Sequence, residues 1–298
     1  MELVLTLISN LEASCLDHKR IEAICGVLRS SDIRVDGTEV LAPNIAADIF
    51  INTNIAEEPE ILIRQYLADK PVDLALQPRS GRRKHLLIAD MDSTIVTSET
   101  LDDLAAAAGI ADQVAPITDR AMRGEIEFAE ALRRRVNLLK GIDAKLLDQV
   151  WQQMTFTAGA ATLVKTMRAH GAYTALVSGG FTAITGRVRD ALGFDEDRSN
   201  TLIIEHGKLT GTVADPILDK NSKVSALHEL VSLKSLTPQD TVAVGDGAND
   251  IPLLAAAGLG VAFRAKPKVR DAASARIDHS DLTALLYLQG YRMTDFVM

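Results

Sequence analysis

Cysteine is scarce in this 298-residue chain, with Cys15 and Cys25 the only two. They share no CxxC spacing and no histidine cluster, which argues against a disulfide framework or a cysteine-ligated metal and leaves two small hydrophobes in a reduced chain. An excess of basic charge is missing as well. With 32 Lys and Arg against 40 Asp and Glu, the formal charge of −8 and the pI near 5.3 argue against a nucleic-acid partner. The opening MELVLTLISN lacks a basic n-region, so no signal peptide is expected. The apolar stretch LLAAAGLGVAF at 253–263 is too short for a bilayer and is broken by Gly258 and Gly260. A cytoplasmic chain with no membrane partner is the expectation. Internal repeats and low-complexity segments are absent, and no G-x-x-x-x-G-K-[ST] occurs, which excludes a P-loop nucleotide binder.

What is present is a globular composition, 47% hydrophobic and 24% charged, with room for one large domain and a small one, or two medium ones. The organising stretch is LLIADMDSTIVTSE, residues 86–99. Leu86, Leu87, Ile88 and Ala89 form the short continuous apolar run of a strand buried on both faces, and polarity changes abruptly at Asp90. Asp90 and Asp92 are thereby delivered to the strand's C-terminal end, where ligands sit in open α/β sheets. A carboxylate has no proton to lose, so Asp90 could attack phosphorus once a cation screens the repulsion between two anions. Asp92 could protonate the leaving group and later take a proton from water. Taken alone, DxDST is equally an Asp-rich turn closing a strand.

Ahead of this stretch, strands over Leu3–Ile8, Asp32–Leu41, Ala47–Ile51 and Val72–Leu76 and helices over His18–Leu28 and Glu57–Ala68 give the order βαββαβ, the split pattern of a ferredoxin-like domain. That order resembles ACT and ACT-like regulatory domains, which bind small amino acids or pair between subunits. The resemblance implies a regulatory or dimerisation domain at 1–76, and with it a homodimer. QPRSGRRK at 77–84, with Pro, Ser, Gly and four basic residues, predicts an exposed hinge between domains.

Beyond Asp92, Ser98 or Thr100 is placed to cap a helix through Ala108, and helices follow over 118–124, 127–140 and 144–154. An all-helical insertion at about 97–158 would form a lid over the strand ends. A strand resumes at Tyr173–Val177 and ends in Ser178-Gly179-Gly180, where backbone amides can approach an anion. Thr201–Glu205 and Lys208–Val213 predict a hairpin around His206-Gly207. Lys223, in the first turn of a helix starting near Ser222, opposes the helix dipole and hints at an anionic partner. The strand Thr241–Val244 runs into GDGAND at 245–250, whose Asp246 and Asp250 suit a hard, oxygen-ligated cation. Leu259–Phe263 and Ala275–Ile277 complete the parallel set.

Together, DMDST at 90–94, VSGG at 177–180, Lys223 and GDGAND at 245–250 resemble, in order and spacing, the four motifs of the haloacid dehalogenase superfamily of phosphatases. Within it the chain resembles the phosphoserine phosphatase family. The likeness covers residue 86 to about 290 and implies an α/β fold at 85–298, a Rossmann-like parallel sheet with a helical cap. It implies Asp90 as nucleophile, Asp92 as acid/base, and Mg²⁺ held by Asp90, the backbone carbonyl of Asp92 and Asp246, with Asp250 supporting. Ser178, Gly179 and Lys223 would bind the phosphoryl group, with Asn249 beside it, and Glu99 would hold a substrate ammonium. The lid stretch AMRGEIEFAEALRRRVNLLKG at 121–141 matches the family's lid motif, implying that Arg135 grips a carboxylate and that Met122 and Phe128 wall the pocket. The residues themselves do not choose among Arg133, Arg134 and Arg135. Glu99 and Arg135 would read a zwitterion with one charge each, and the arginine fork suits a carboxylate. The implied activity is Mg²⁺-dependent hydrolysis of O-phospho-L-serine through an aspartyl-phosphate, the last step of L-serine biosynthesis. The other readings are a relative acting on another small phosphate ester and an amino-acid-sensing regulatory protein, in which serine binding would survive loss of Asp90.

Overall fold

The computed structural model describes residues 1–54, 58–68, 70–123 and 125–298. Its N-terminal part runs β1 (Glu2–Ser9), α1 (His18–Ser30), β2 (Arg34–Ala42), β3 (Ala46–Asn52), α2 (Glu58–Tyr66) and β4 (Val72–Pro78). The helix start expected at Glu57 lies outside the described residues. All pairings are antiparallel in the order β2-β3-β1-β4, as in the split βαββαβ fold. The run in β1 is continuous because its two faces are covered by different things. Leu3, Leu5 and Leu7 pack with Ile24 and Leu28 of α1 and Ile63 of α2, whereas Ile8 joins Ala75 of β4 in the core shared with the rest of the molecule.

Residues 77–84 do not form the free hinge that their composition predicts. Gln77 and Pro78 end β4, and Arg82 and Lys84 turn inward. The Arg82 guanidinium donates to both carboxylate oxygens of buried Asp48, to Thr6 Oγ1 and to the carbonyls of Tyr287 and Leu288. Lys84 Nζ donates to the carbonyls of Gly81 and Gln239. Basic residues normally mark solvated chain, but here the sheet face they meet carries a buried carboxylate. A second one, Asp73, accepts the backbone N–H groups of Asp278, His279 and Ser280.

The larger part begins with β5 (Leu86–Ala89), a tight turn at Met91–Ile95, and the inserted helices α3 (Thr100–Ala107), α4 (Ala111–Met122), α5 (Phe128–Asn137) and α6 (Leu146–Gln153). The chain enters and leaves this insertion side by side, with Thr97 N–H donating to the carbonyl of Thr155 and Thr157 N–H to that of Ile95. Then come α7 (Ala160–Ala169), β6 (Tyr173–Phe181), α8 (Thr182–Leu192), β7 (Glu196–Asn200) and the hairpin β8 (Leu202–Glu205) with β9 (Lys208–Val213). The chain closes with α9 (Lys220–Leu233), β10 (Thr241–Gly245), α10 (Ile251–Ala256), β11 (Leu259–Phe263), α11 (Pro267–Ala272), β12 (Ala275–Ile277) and α12 (Ala284–Leu288).

Six strands pair in parallel in the order β12-β11-β10-β5-β6-β7. Leu86 and Ile88 pack with α9, α10 and α11 on one face, while Leu87 and Ala89 pack with α7, α8 and α12 on the other. The direction of winding reverses between β5 and β10, which opens a crevice at the ends carrying Asp90 and Asp246. Two elements depart from expectation. β7, of sequence EDRSN, has no apolar signal because it is an edge strand whose side chains are held by ion pairs, Arg189 with Asp197 at 2.7 Å and Arg198 with Glu196 at 2.7 Å. α4 begins at Ala111 rather than Thr118 and carries Pro116 inside it; the end expected at Gly124 lies outside the described residues. Among the described residues no helix is long and apolar enough to cross a membrane.

Candidate active site

β5 is hydrogen-bonded to β10 up to the point where it delivers its carboxylate, Asp90 N–H donating to the Val244 carbonyl at 3.0 Å. The chain then turns sharply, with Ser93 at φ 54°, and Asp90 Oδ1 accepts Met91 N–H at 2.8 Å. On the neighbouring strand, Gly245 is required by close approach: a Cβ there would lie 2.4 Å from Cγ of Asp250. Asp250 can therefore fold back under the strand end, fully buried, accepting Lys223 Nζ at 2.6 Å and Gly247 N–H at 3.0 Å. Lys223 Nζ also stands 2.7 Å from Asp90 Oδ1. The anionic partner anticipated for this lysine is thus a pair of carboxylates.

Asp90, Asp246 and Asp250 each present an oxygen within 4.8 Å of the others. Both oxygens of Asp250 are engaged by Lys223 and Gly247, so Asp90 and Asp246 are the side chains left to face a cation. The charges do not balance. Burial, then the charge of Asp250, raises the Asp90 carboxyl well above its ordinary range against the pull of Lys223. Burial, then Asp250 and Glu99, brings Asp246 to about 6, and burial with Glu99 brings Asp92 to about 7. Burial alone would lower Lys223, but Asp250 and Asp90 overcome it and hold the ammonium charged. A crowded set of hard oxygen donors short of positive charge fits a divalent cation.

One consequence is thermodynamic. Carboxyl groups raised on folding bind more protons in the native than in the unfolded chain between about pH 4 and 7, so their contribution is present at low pH and lost as pH rises through about 6 and 7. Metal-free protein should be less stable at pH 8 than at pH 5.5, by roughly 2 kcal/mol. Urea unfolding in EDTA at the two pH values measures this, and Asp92→Asn should shrink the difference. Equal stability, or more at pH 8, would show that these carboxylates are not crowded.

Around the cluster, Ser178 Oγ accepts Gly180 N–H at 2.9 Å. Gly179 lies against Phe128, since a Cβ on it would meet the ring Cζ at 3.0 Å. Asn249 folds over Gly247, where a Cβ would lie 2.2 Å from its Oδ1. Ser93 Oγ donates to Glu99 Oε1 at 2.7 Å. Of the three lid arginines, Arg133 pairs with Asp215 at 2.5 Å and Arg134 with Glu130, both exposed. Arg135 alone is drawn inward, Nη1 3.4 Å from Thr118 Oγ1, its pKa lowered by burial against the charges of Asp102, Glu99 and Asp92. Met122 ends α4, and its side chain is outside the described part of the structure.

A sequence model of the haloacid dehalogenase-like hydrolases matches residues 87–255, more than half of the chain and the stretch that holds Asp90, Asp92, Asp246 and Asp250. The chain belongs to this family. A phosphoserine phosphatase of Archaeoglobus fulgidus is 43% identical over 216 residues, 72% of this chain and 63% of that protein. The matched stretch spans only 51% to 63% of the length of this and two further phosphoserine phosphatases. Among solved structures, a haloacid dehalogenase family hydrolase from Salmonella enterica serovar Typhi superposes with a TM-score of 0.83 at 27% identity, covering 96% of this chain and 98% of its own. A phosphoserine phosphatase solved as a phospho-aspartyl intermediate analogue gives 0.65 at 39% identity, covering 69% and 98% respectively.

In this haloacid dehalogenase-like hydrolase several residues hold the site to which the motifs assigned no role. Thr94 Oγ1 donates to Asp246 Oδ1 at 3.1 Å. Asn200, nearly fully buried, ties the Gly179 carbonyl (2.9 Å) to the Leu218 N–H (2.8 Å), joining the β6 turn to the segment before α9. Thr100 does not cap α3. The N-cap is Glu99, with no side-chain cap bond, and Thr100 gives its N–H (3.0 Å) and its hydroxyl to Asp92 Oδ1. A threonine or asparagine in such a place looks like any loop residue in sequence, and only the fold-back of the chain gives it a partner.

Proposed function

We propose that this chain hydrolyses O-phospho-L-serine to L-serine and inorganic phosphate, using Mg²⁺, as the last step of L-serine biosynthesis in the cytoplasm. The observation that carries this reading is one strand end bearing two carboxyl groups with different partners, Lys223 at Asp90 and Thr100 at Asp92. Asp90 has its Oδ1 engaged by Met91 N–H and Lys223, which leaves the other oxygen for attack on phosphorus. Asp92, raised by burial and then by Glu99 and held at Oδ1 by Thr100, suits a general acid for the departing serine oxygen and afterwards a base for water. Mg²⁺, held by Asp90, the Asp92 carbonyl and Asp246 with Asp250 supporting, would supply the positive charge that lets two anions meet. Ser178, Gly179 and Lys223 bind the phosphoryl group, with Asn249 beside it. Glu99 and Arg135 take the ammonium and carboxylate of serine, beside a wall made by Phe128. Residues 85–298 form the phosphatase domain with its cap at about 97–158, joined by 77–84 to an ACT-like domain at 1–76 that pairs two copies into a homodimer. The partner of the site is a small molecule; nucleic acid and membrane have no part in it. Support for the substrate comes from the identity to phosphoserine phosphatases and from the inward turn of Arg135 alone among its neighbours.

The test is phosphate release from a panel of small phosphomonoesters with Mg²⁺ and with EDTA. Phosphoserine should be preferred, EDTA should abolish turnover, and Arg135→Ala should raise KM for phosphoserine by about 100-fold, the value of a charge-assisted bidentate contact. It should leave esters lacking a carboxylate nearly unaffected. Equal rates across sugar phosphates would sink the substrate assignment.

A further inference from the structure

Deepening that reading, we propose that Thr100 is a positioning residue for Asp92, fixing which of its two carboxyl oxygens meets the substrate. The two oxygens stand in different surroundings. Oδ1 accepts two hydrogen bonds from one residue, the backbone N–H of Thr100 at 3.0 Å and its side-chain hydroxyl. Oδ2 is turned the other way, toward the β6 turn: a Cβ built on Gly180 would lie 3.2 Å from it and 3.1 Å from Ser178 Oγ. Thr100 is fully buried and is the first residue of α3, so its N–H is one of the orphan donors of a helix start, and the Asp92 carboxylate fills the place that a cap side chain leaves open. A carboxyl group whose Oδ1 is doubly occupied by donors keeps its proton on Oδ2, because an O–H at Oδ1 would face two N–H and O–H hydrogens.

The sidedness bears on the chemistry. As the Asp90 oxygen bonds to phosphorus and the bond from phosphorus to the ester oxygen breaks, the proton passes from Asp92 Oδ2 to that ester oxygen, and a neutral alcohol leaves. Asp92 is then a carboxylate. When water cleaves the aspartyl-phosphate, its proton returns to Oδ2, its oxygen goes to phosphate, and Asp90 is restored. Thr100 touches neither substrate nor phosphorus; it holds the rotamer that keeps Oδ2 at the β6 turn. The same peptide carries Glu99, so the acid and one substrate-recognition group are hung from a single point at the base of the cap.

Thr100→Val keeps the shape and the N–H and removes the hydroxyl; Thr100→Ser keeps the hydroxyl. The informative quantity is kcat/KM, which reports steps through departure of the alcohol, on two esters. Phosphoserine has a poor leaving group that needs the proton, whereas the leaving group of p-nitrophenyl phosphate does not. Thr100→Val should lower kcat/KM on phosphoserine by about 10-fold to 100-fold, a part of the usual worth of a general acid, and change that on p-nitrophenyl phosphate less than about 3-fold. Thr100→Ser should recover most of the loss. Equal losses on both esters, no loss on either, or a Ser variant as poor as Val would overturn the assignment and leave Thr100 a structural residue. The unaltered protein keeps this distinct from the functional reading: failure to hydrolyse any alkyl phosphate would sink that reading, whereas normal turnover with an unselective Thr100→Val sinks only the role of Thr100.

Discussion

Asp90→Asn is expected to lower phosphate release by on the order of 10⁴-fold or more, the scale of losing a nucleophile, while leaving the metal-free protein at least as stable as before. The two halves of this result have one cause. An amide at position 90 still accepts Met91 N–H and Lys223 through its oxygen, so the turn after β5 keeps its hydrogen bonds. What disappears is one negative charge from a buried group that Asp250 already crowds, and Lys223 keeps Asp250 at 2.6 Å as its ion partner. Removing a charge that burial disfavours does not cost folding free energy, whereas an amide cannot form the covalent phosphoryl intermediate. Phosphate release and thermal melts in EDTA, done on the same preparations, measure both. Turnover within about 10-fold of the unaltered protein would remove Asp90 from the chemistry; a large loss of stability would mean that its charge is needed to neutralise Lys223, with Asp250 insufficient. The variant also separates the enzyme from an amino-acid sensor, in which the only activity would be serine binding that Asp90→Asn leaves intact.

How much of this could be read from the sequence depends on how locally each feature is encoded. The run Leu86–Ala89 announces a doubly covered strand because both faces need apolar side chains, and the carboxylates that follow it must then sit at the strand end. Lys223 is legible in part, since a cation in a helix's first turn calls for an anion somewhere, though not for two. β7 is illegible because an edge strand held by Arg189, Asp197, Arg198 and Glu196 needs no hydrophobic pattern. The three consecutive lid arginines have the same local composition; helical spacing sends them to different faces, and only the packing of α5 decides that Arg135 looks inward. Asn200 acts through Gly179 and Leu218, 21 and 18 residues away, and Thr100 through Asp92, 8 residues back across a chain reversal that no sequence pattern marks. The hinge expected at 77–84 fails for the same reason in reverse: its basic residues look solvated until the partner sheet face is known.

That face leads to the second large effect. Arg82→Ala should destabilise the protein by about 3–5 kcal/mol, as expected when one partner of a buried ion pair is removed, and lower the melting midpoint by on the order of 10 °C. Asp48 is 1% exposed and Arg82 about 10%, with 2.6 Å between them, so solvent cannot replace the guanidinium once it is gone. Among the described residues Thr6 would be the only side chain still donating to Asp48, while the carbonyls of Tyr287 and Leu288 would each lose one donor and keep another, Gly290 N–H and Gln77 Nε2 respectively. Burial already raises the Asp48 carboxyl, with Arg82 and then Thr6 opposing it. Without Arg82 the carboxyl rises further and the folded chain takes up a proton there. The loss should therefore be smaller at pH 5 than at pH 8, because a neutral Asp48 tolerates burial and stability falls as pH rises through the raised value. Replacing both partners by apolar groups, Asp48→Leu with Arg82→Met, should restore most of the stability. Urea unfolding of Asp48→Leu, Arg82→Met and the double at both pH values closes the cycle, with Arg82→Ala measured beside it. If Arg82→Ala costs under about 1 kcal/mol at pH 8, the N-terminal sheet is held by its apolar contacts alone. A full loss that the double variant repairs would instead show that Arg82 is there to make a buried carboxylate tolerable, and that residues 77–84 fix the two sheets to each other rather than let them swing.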